Sequence, residues 1–271
     1  MRIFANGIVT HYVMEGPAGA PVVTLSHSLA ASLDMWEPQI PALAGQYLVL
    51  RYDIRGHGGS EVPPGPYTLE TLADDVLALL DALGVERTHF LGLSMGGMIG
   101  QAIALKRPQA LASLVLADTT CRIPPDAGPL WDARIATAQS QGMAALAQGT
   151  IERWFTKPFI ERAPEVVDRV RMLIRTTPPQ GFIGCSQAIR TLNYTDRLHE
   201  ISVPTMIIVG QEDLGTPVGA SQLMHAAIAG SKLVVLPSAA HLSNVEQAEK
   251  FNQAVLGFLR TSSSGTPLHC G

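Results

Sequence analysis

Cysteine is scarce in this chain. Cys121, Cys185 and Cys270 are three residues among 271, far apart and without CxxC spacing. Neither a disulfide framework nor a zinc ribbon follows from them, and buried or incidental thiols are the expectation. Charge is scarce too: Asp, Glu, Lys and Arg make up 15% of the residues, the net charge is −4, and no block of like charge stands out. No footprint for nucleic acid or for an anionic membrane surface is therefore expected. Apolar runs stay short, and none approaches the roughly 20 residues of a membrane span. The stretch Met1–Gly7 has no apolar core before its Asn6-Gly7 turn signal, so no secretory leader is expected. These absences predict a cytoplasmic protein in a reducing compartment, and they leave its oligomeric state open.

What is present is globular. Hydrophobic residues make up 46% of a length that suits one large α/β domain, or two domains at most. Asn6-Gly7 between Arg2–Ala5 and Ile8–Val13 is the dipeptide of a tight hairpin. Short apolar runs follow at Val22–Ser26, Tyr47–Tyr52, His89–Leu93, Leu114–Ala117, Thr205–Val209 and Leu233–Leu236. They are apolar on successive residues, as parallel strands buried on both faces must be. Helical patterns lie between them. Leu69–Leu83 carries Leu72, Val76, Leu79, Leu80 and Leu83 on one face with Asp74 and Asp81 turned away, and Thr68 stands at its N-cap. Gly97–Lys106 and Val245–Leu259 are the other helices expected around the strands. The pattern predicts an α/β fold, a mostly parallel doubly wound sheet with an N-terminal hairpin.

The alternation stops between Cys121 and Glu200. Apolar residues recur there at helical spacing, while Pro124, Pro125, Pro158, Pro164, Pro178 and Pro179 divide the stretch. Residues 121–200 are thus expected to form a helical cap on a core of residues 1–120 and 201–260. The Ser- and Gly-rich tail, 261–271, is expected to be disordered.

Gly92-Leu93-Ser94-Met95-Gly96 follows an apolar strand and precedes a small-residue helix. GxSxG in that setting places a serine on a sharp turn with its Oγ exposed, beside the free N–H groups of a helix start. Such a nucleophile needs a base, and the base an orienting acid. Asp213 stands just after the Thr205–Val209 run, with Glu212 and Asp118 as rivals; His241 follows the last strand run. The order Ser94, Asp213, His241 is that of the α/β-hydrolase triad, whereas His27, His57 and His89 precede the nucleophile and fit that order poorly. The Met95 N–H and that of Leu29 or its neighbour are the expected oxyanion donors. The loop Asp53–Ser60, with its glycines and a local Asp53–Arg55 pair, reads as structural, and it lacks the GxGxxG of a dinucleotide site.

With these residues assembled, the chain resembles α/β-hydrolases over nearly all of residues 1–260, and most of all the 3-oxoadipate enol-lactonase branch. The carrying segments are Leu25–Leu29, Asp34-Met35-Trp36, Arg51–Gly58, Gly65–Thr68, Gly92–Gly97, Arg153-Trp154-Phe155-Thr156 and His241–Glu246. Two departures touch the oxyanion loop: His27 stands where enol-lactonases usually have Asn, and Ala30 where they have Gly. The resemblance implies a serine hydrolase of carboxylic esters, with a lactone ring as the favoured target and no cofactor or metal. Its partner would be a small ester or lactone. A neutral acyl-homoserine lactone or simple ester is the alternative substrate, and a cofactor-free perhydrolase shares the triad. A ligand receptor without turnover would have no use for the complete set. Trp131, Trp154, Phe155 and Phe159 are candidates for shaping the substrate pocket, and Arg122, Arg134, Arg153 and Arg190 for meeting a substrate carboxylate.

Overall fold

The computed structural model describes residues 1–263. The chain opens with the predicted hairpin, β1 (Arg2–Ala5) and β2 (Ile8–Glu15). Asn6 and Gly7 both take positive φ, 48° and 76°, as that turn requires. Six further strands follow: β3 (Val22–Ser26), β4 (Leu48–Tyr52), β5 (Thr88–Leu93), β6 (Leu111–Ala117), β7 (Thr205–Gly210) and β8 (Lys232–Leu236). They build one sheet in the order β1-β2-β4-β3-β5-β6-β7-β8. From β4 to β8 every pair is parallel, whereas the hairpin joins antiparallel. All six residues of β5 and of β7 are buried, which is why these strands are apolar at successive positions, Phe90-Leu91 and Met206–Val209, rather than at alternate ones.

Helix Leu69–Ala82 is capped by Thr68, whose side chain accepts from the Thr71 N–H at 3.0 Å. It buries Leu72, Val76, Leu79 and Leu80, and Asp81 faces outward to pair with Arg107 at 2.7 Å. Helix Met95–Lys106 crosses the sheet centre, its first ten residues buried. The expected last helix divides in two, Ser243–Glu246 and Ala248–Ser263, because Gln247 leaves helical dihedrals (φ −125°, ψ 46°). Thr261–Ser263, expected as tail, instead continue that helix, and residues 264–271 lie outside the described ones.

Between β6 and β7 the described chain forms five α-helices: Gly128–Gln141, Met143–Trp154, Lys157–Arg162, Pro164–Thr176 and Pro179–Arg190. Four carry proline in their first turn, where no intrahelical N–H bond is lost. The prolines thus start these helices. The two ends of the insertion meet, with Arg122 bridged to Asn193 and the Tyr194 N–H donating to the Cys121 carbonyl at 2.8 Å. The carboxyl ends of β3, β5, β6, β7 and β8 share one edge, and the loops leaving it carry every candidate residue of the core. Ligands of open α/β sheets bind at that edge.

Candidate active site

Ser94 sits between β5 and its helix at φ 55° and ψ −115°. A side chain is held there at a cost of about 1–3 kcal/mol, so the surroundings must impose the conformation. Two contacts do so: the Ser94 N–H donates to the Ala117 carbonyl at 2.9 Å, and the Ser94 carbonyl accepts from the Thr119 hydroxyl at 2.7 Å. Glycine is obligatory beside it, because a β-carbon at Gly96 would collide with the Ser26 carbonyl of β3. The Gly97 and Met98 N–H groups turn back to the Ser94 carbonyl at 2.9 and 3.1 Å, and the Met95 N–H at the helix start precedes the first intrahelical bond.

His241 is buried, and its Nδ1–H donates to Asp213 Oδ2 at 2.8 Å. Asp213 is itself over-determined. It accepts from the N–H groups of Gly215 and Thr216 at 2.8 and 3.0 Å, and from the Thr216 hydroxyl at 2.6 Å. Burial alone would raise the Asp213 pKa, but the imidazole and these donors outweigh it and hold the carboxyl below its ordinary value. Burial likewise opposes a charged His241, and the Asp213 carboxylate overrides it to raise the histidine's pKa.

The rival acids go elsewhere. Asp118 accepts from the Gly210 N–H at 2.8 Å and the Ser243 hydroxyl at 2.5 Å. Full burial, then the nearby Asp213 charge, push its pKa well up. Glu212 is exposed. Thr216 was not foreseen, although a hydroxyl three residues past an aspartate in a Gly-containing loop is an Asx-turn signal.

In the loop after β3, Ala30 has positive φ (61°) and its N–H is already spent on His57 Nε2 at 3.1 Å. The Ser28 N–H lies 3.3 Å from Met35 Sδ. Leu29 is left, and among the described residues its N–H donates to no protein group. His27 braces the same loop from below. Its Nδ1–H donates to the Ser28 carbonyl at 2.7 Å, and its Nε2 accepts from the Ile54 N–H at 2.9 Å. Burial lowers the pKa of both histidines, that of His57 to about 3, so both stay neutral. The Asp53–Arg55 pair expected in the neighbouring loop does not form. Arg55 reaches Asp75 at 2.6 Å, while Asp53 accepts from the Leu33 and Gly59 N–H groups and meets His11.

Ser94, Leu29 and His241 line one cavity of about 210 Å³. Trp131, Trp154, Arg134 and Arg153 of the helical insertion form its far wall, and the exposed Leu130 and Leu214 stand in its lining. The Trp154 ring lies 6.2 Å from the His241 ring. Phe155 does not line this cavity, contrary to expectation. One residue past Trp154 the backbone turns extended (φ −130°, ψ 149°), and Phe155 stacks on Phe159 at 5.1 Å inside the core. Of the four arginines, Arg190 pairs with Asp132 at 2.8 Å and Arg122 lines a neighbouring groove. Arg134 and Arg153 face the cavity, and among the described residues no carboxylate lies within ion-pair distance of either. Arg134 packs over the Trp131 ring at 4.6 Å, its Nε is buried without an acceptor, and burial draws its pKa down to about 10.

The family described as alpha/beta hydrolase fold matches residues 21–248. The chain belongs to the α/β-hydrolase family. Within it, the 3-oxoadipate enol-lactonase 2 of Acinetobacter baylyi is 37% identical over 251 residues, 93% of each chain. The crystal structure of an enol-lactonase from Burkholderia xenovorans superposes with a TM-score of 0.93 at 39% identity, covering 96% of this chain and all (100%) of that one. A hydrolase from Pseudomonas aeruginosa reaches 45% identity and a TM-score of 0.91, over 96% and 97% of the two chains. In this α/β-hydrolase, Ser94, Asp213 and His241 follow β5, β7 and β8 in that order. No helix of the described residues is long and apolar enough to cross a membrane.

Proposed function

We propose that this α/β-hydrolase is a carboxylic ester hydrolase acting on a lactone ring that bears a carboxylate. Residues 121–200 act as a cap over the core formed by residues 1–120 and 201–260. Ser94 Oγ attacks the acyl carbon while His241 takes its proton, and the His241 proton then goes to the departing ring oxygen. Asp213 keeps the imidazole oriented and stabilises its charged form. The N–H groups of Met95 and Leu29 bind the oxyanion, each worth roughly 3–4 kcal/mol by the measured loss of such donors in other hydrolases. Water, deprotonated by the same histidine, then cleaves the acyl–Ser94 bond and restores the serine. Every step is a proton or acyl transfer between these groups, the substrate and water.

The hydrolase part of this reading rests on the cavity that Ser94 shares with His241, the latter held by Asp213. The anionic part rests on Arg134. A guanidinium with a buried, unpaired Nε beside an apolar wall is costly unless a ligand supplies the acceptor. A carboxylate there also anchors the acyl arm, while the freed oxygen of an enol ester is lost as a ketone and cannot re-close the ring.

The test is a panel of a carboxylate-bearing enol-lactone, a neutral acyl-homoserine lactone and p-nitrophenyl butyrate, compared by kcat/KM. Wild type is expected to favour the anionic lactone. Arg134→Leu should lower its kcat/KM by about ten- to a hundredfold, the worth of a hydrogen bond to a charged group, and leave the butyrate ester nearly unchanged. An equal loss on all three would make Arg134 a packing residue, and a wild-type preference for the neutral lactone would remove the anionic reading.

A further inference from the structure

The segments Arg153–Thr156 and His241–Glu246 lie far apart in sequence, yet they meet at one buried carboxylate. Glu246 is 5% exposed. Its Oε2 accepts from the Ala240 N–H at 2.9 Å. The Thr156 N–H reaches its two oxygens at 3.2 and 3.3 Å, and the Thr156 hydroxyl donates to Oε1. On the other side of the histidine, the Leu242 N–H donates to the Trp154 carbonyl at 3.0 Å. The backbone on both sides of His241 is therefore tied to residues 154–156 of the cap, directly at Leu242 and through Glu246 at Ala240. Thr156 is in turn fixed as the N-cap of helix Lys157–Arg162, and Phe155 between its partners is locked against Phe159.

We infer that Glu246 is a positioning residue through which the cap sets the orientation of His241. This rests on His241 being the catalytic base. The imidazole must meet Asp213 with Nδ1 and face the nucleophile with Nε2. Its ring direction follows from a backbone that leaves β8 through Ser238, held at a positive φ of 56°. That loop has few other ties: Gln247 Nε2 donates to the Ser238 carbonyl at 2.9 Å, and the Ala239 carbonyl accepts from the Glu212 N–H at 2.8 Å. The bond to Ala240 is the nearest constraint before the histidine itself. Since a carboxylate has only acceptors to offer, it matches three donors at once. An amide at that place would set an N–H against one of them. The cap that selects substrate thus also holds the base.

The experiment measures kcat, KM and the pH profile of p-nitrophenyl butyrate hydrolysis for Glu246→Gln and Thr156→Val, with a thermal melt on each and His241→Ala as reference. Glu246→Gln is expected to lower kcat about ten- to a hundredfold with KM within about threefold, as for a catalytic group displaced by an ångström or less. The acid limb of kcat/KM should also move to lower pH, because a loosened Asp213–His241 bond no longer raises the histidine's pKa. Thr156→Val, which keeps Glu246 and removes one of its three donors, should show the same pattern at smaller amplitude. A wild-type kcat and pH limb in folded Glu246→Gln, or a change confined to KM, overturns the inference, and the carboxylate then only seats the cap. If Glu246→Gln does not fold, Thr156→Val decides by the same criteria. A His241→Ala protein that still turns over would overturn the triad itself. An inactive one beside wild-type Glu246→Gln would overturn only the positioning role.

Discussion

Ser94→Ala is expected to lose about four to six orders of magnitude in kcat on every substrate of the panel, the range found when a hydrolase nucleophile is removed. The fold should not suffer. Ser94 Oγ makes no hydrogen bond among the described residues, so its removal leaves no buried partner unsatisfied. Alanine also keeps the β-carbon, and hence the same strain at φ 55°. The variant should therefore melt with wild type while turning nothing over. A complementary readout follows from the covalent step. Rapid quenching of wild type with p-nitrophenyl butyrate should give a mass gain of one butyryl group, located on the Gly92–Gly97 peptide, and Ser94→Ala should give none. A folded Ser94→Ala protein at half the wild-type rate would remove the triad. An acyl adduct elsewhere would move the nucleophile.

The residues that could be read from the sequence are those whose role is set by their neighbours in the chain. A parallel strand covered on both faces must be apolar at successive positions, so β3 is found at Val22–Ser26 as its run predicts. The serine turn is similarly local: a strand, a positive φ and a helix start leave their glycines in sequence at positions 92 and 96. The failures are long-range. Asp75 sits on a helix whose other aspartates are solvated, yet it is buried against Arg55, twenty residues earlier. Glu246 and Thr156 are separated by 90 residues, and no periodicity links them. The unpaired state of Arg134 is a property of what does not surround it in space. Phe155 stands among the pocket candidates only because it neighbours Trp154 in sequence. The end of a helix turned it away.

The strongest discrimination between acids comes from Asp213→Asn measured beside Asp118→Asn. The first should lower kcat by about four orders of magnitude, as in proteases where the orienting aspartate becomes an amide and the histidine is held in the wrong tautomer. Here the misfit is specific. The Thr216 hydroxyl and the Gly215 and Thr216 N–H groups all donate to the carboxylate, so an asparagine must turn its NH2 toward either these donors or His241 Nδ1. The pH profile gives an independent sign. An imidazole acts as a base only when neutral, and Asp213 raises the pKa of His241 against the effect of burial. The acid limb of kcat/KM in wild type should then lie above the ordinary imidazole value of about 6.5. Without that carboxylate, burial is opposed only by the weaker pull of Asp118, and the residual activity of Asp213→Asn should have its acid limb below that value. Asp118 follows a different logic, since among the described residues its carboxyl makes no hydrogen bond to the imidazole, and burial, then the Asp213 charge, raise its pKa. Its oxygens serve the Gly210 N–H and the Ser243 hydroxyl. Asp118→Asn should therefore lower the melting temperature more than it lowers kcat, which should stay within about tenfold of wild type on the measure of one misaligned support. The opposite ranking, with Asp118→Asn the crippled protein and its acid limb the one displaced, would transfer the orienting role to Asp118.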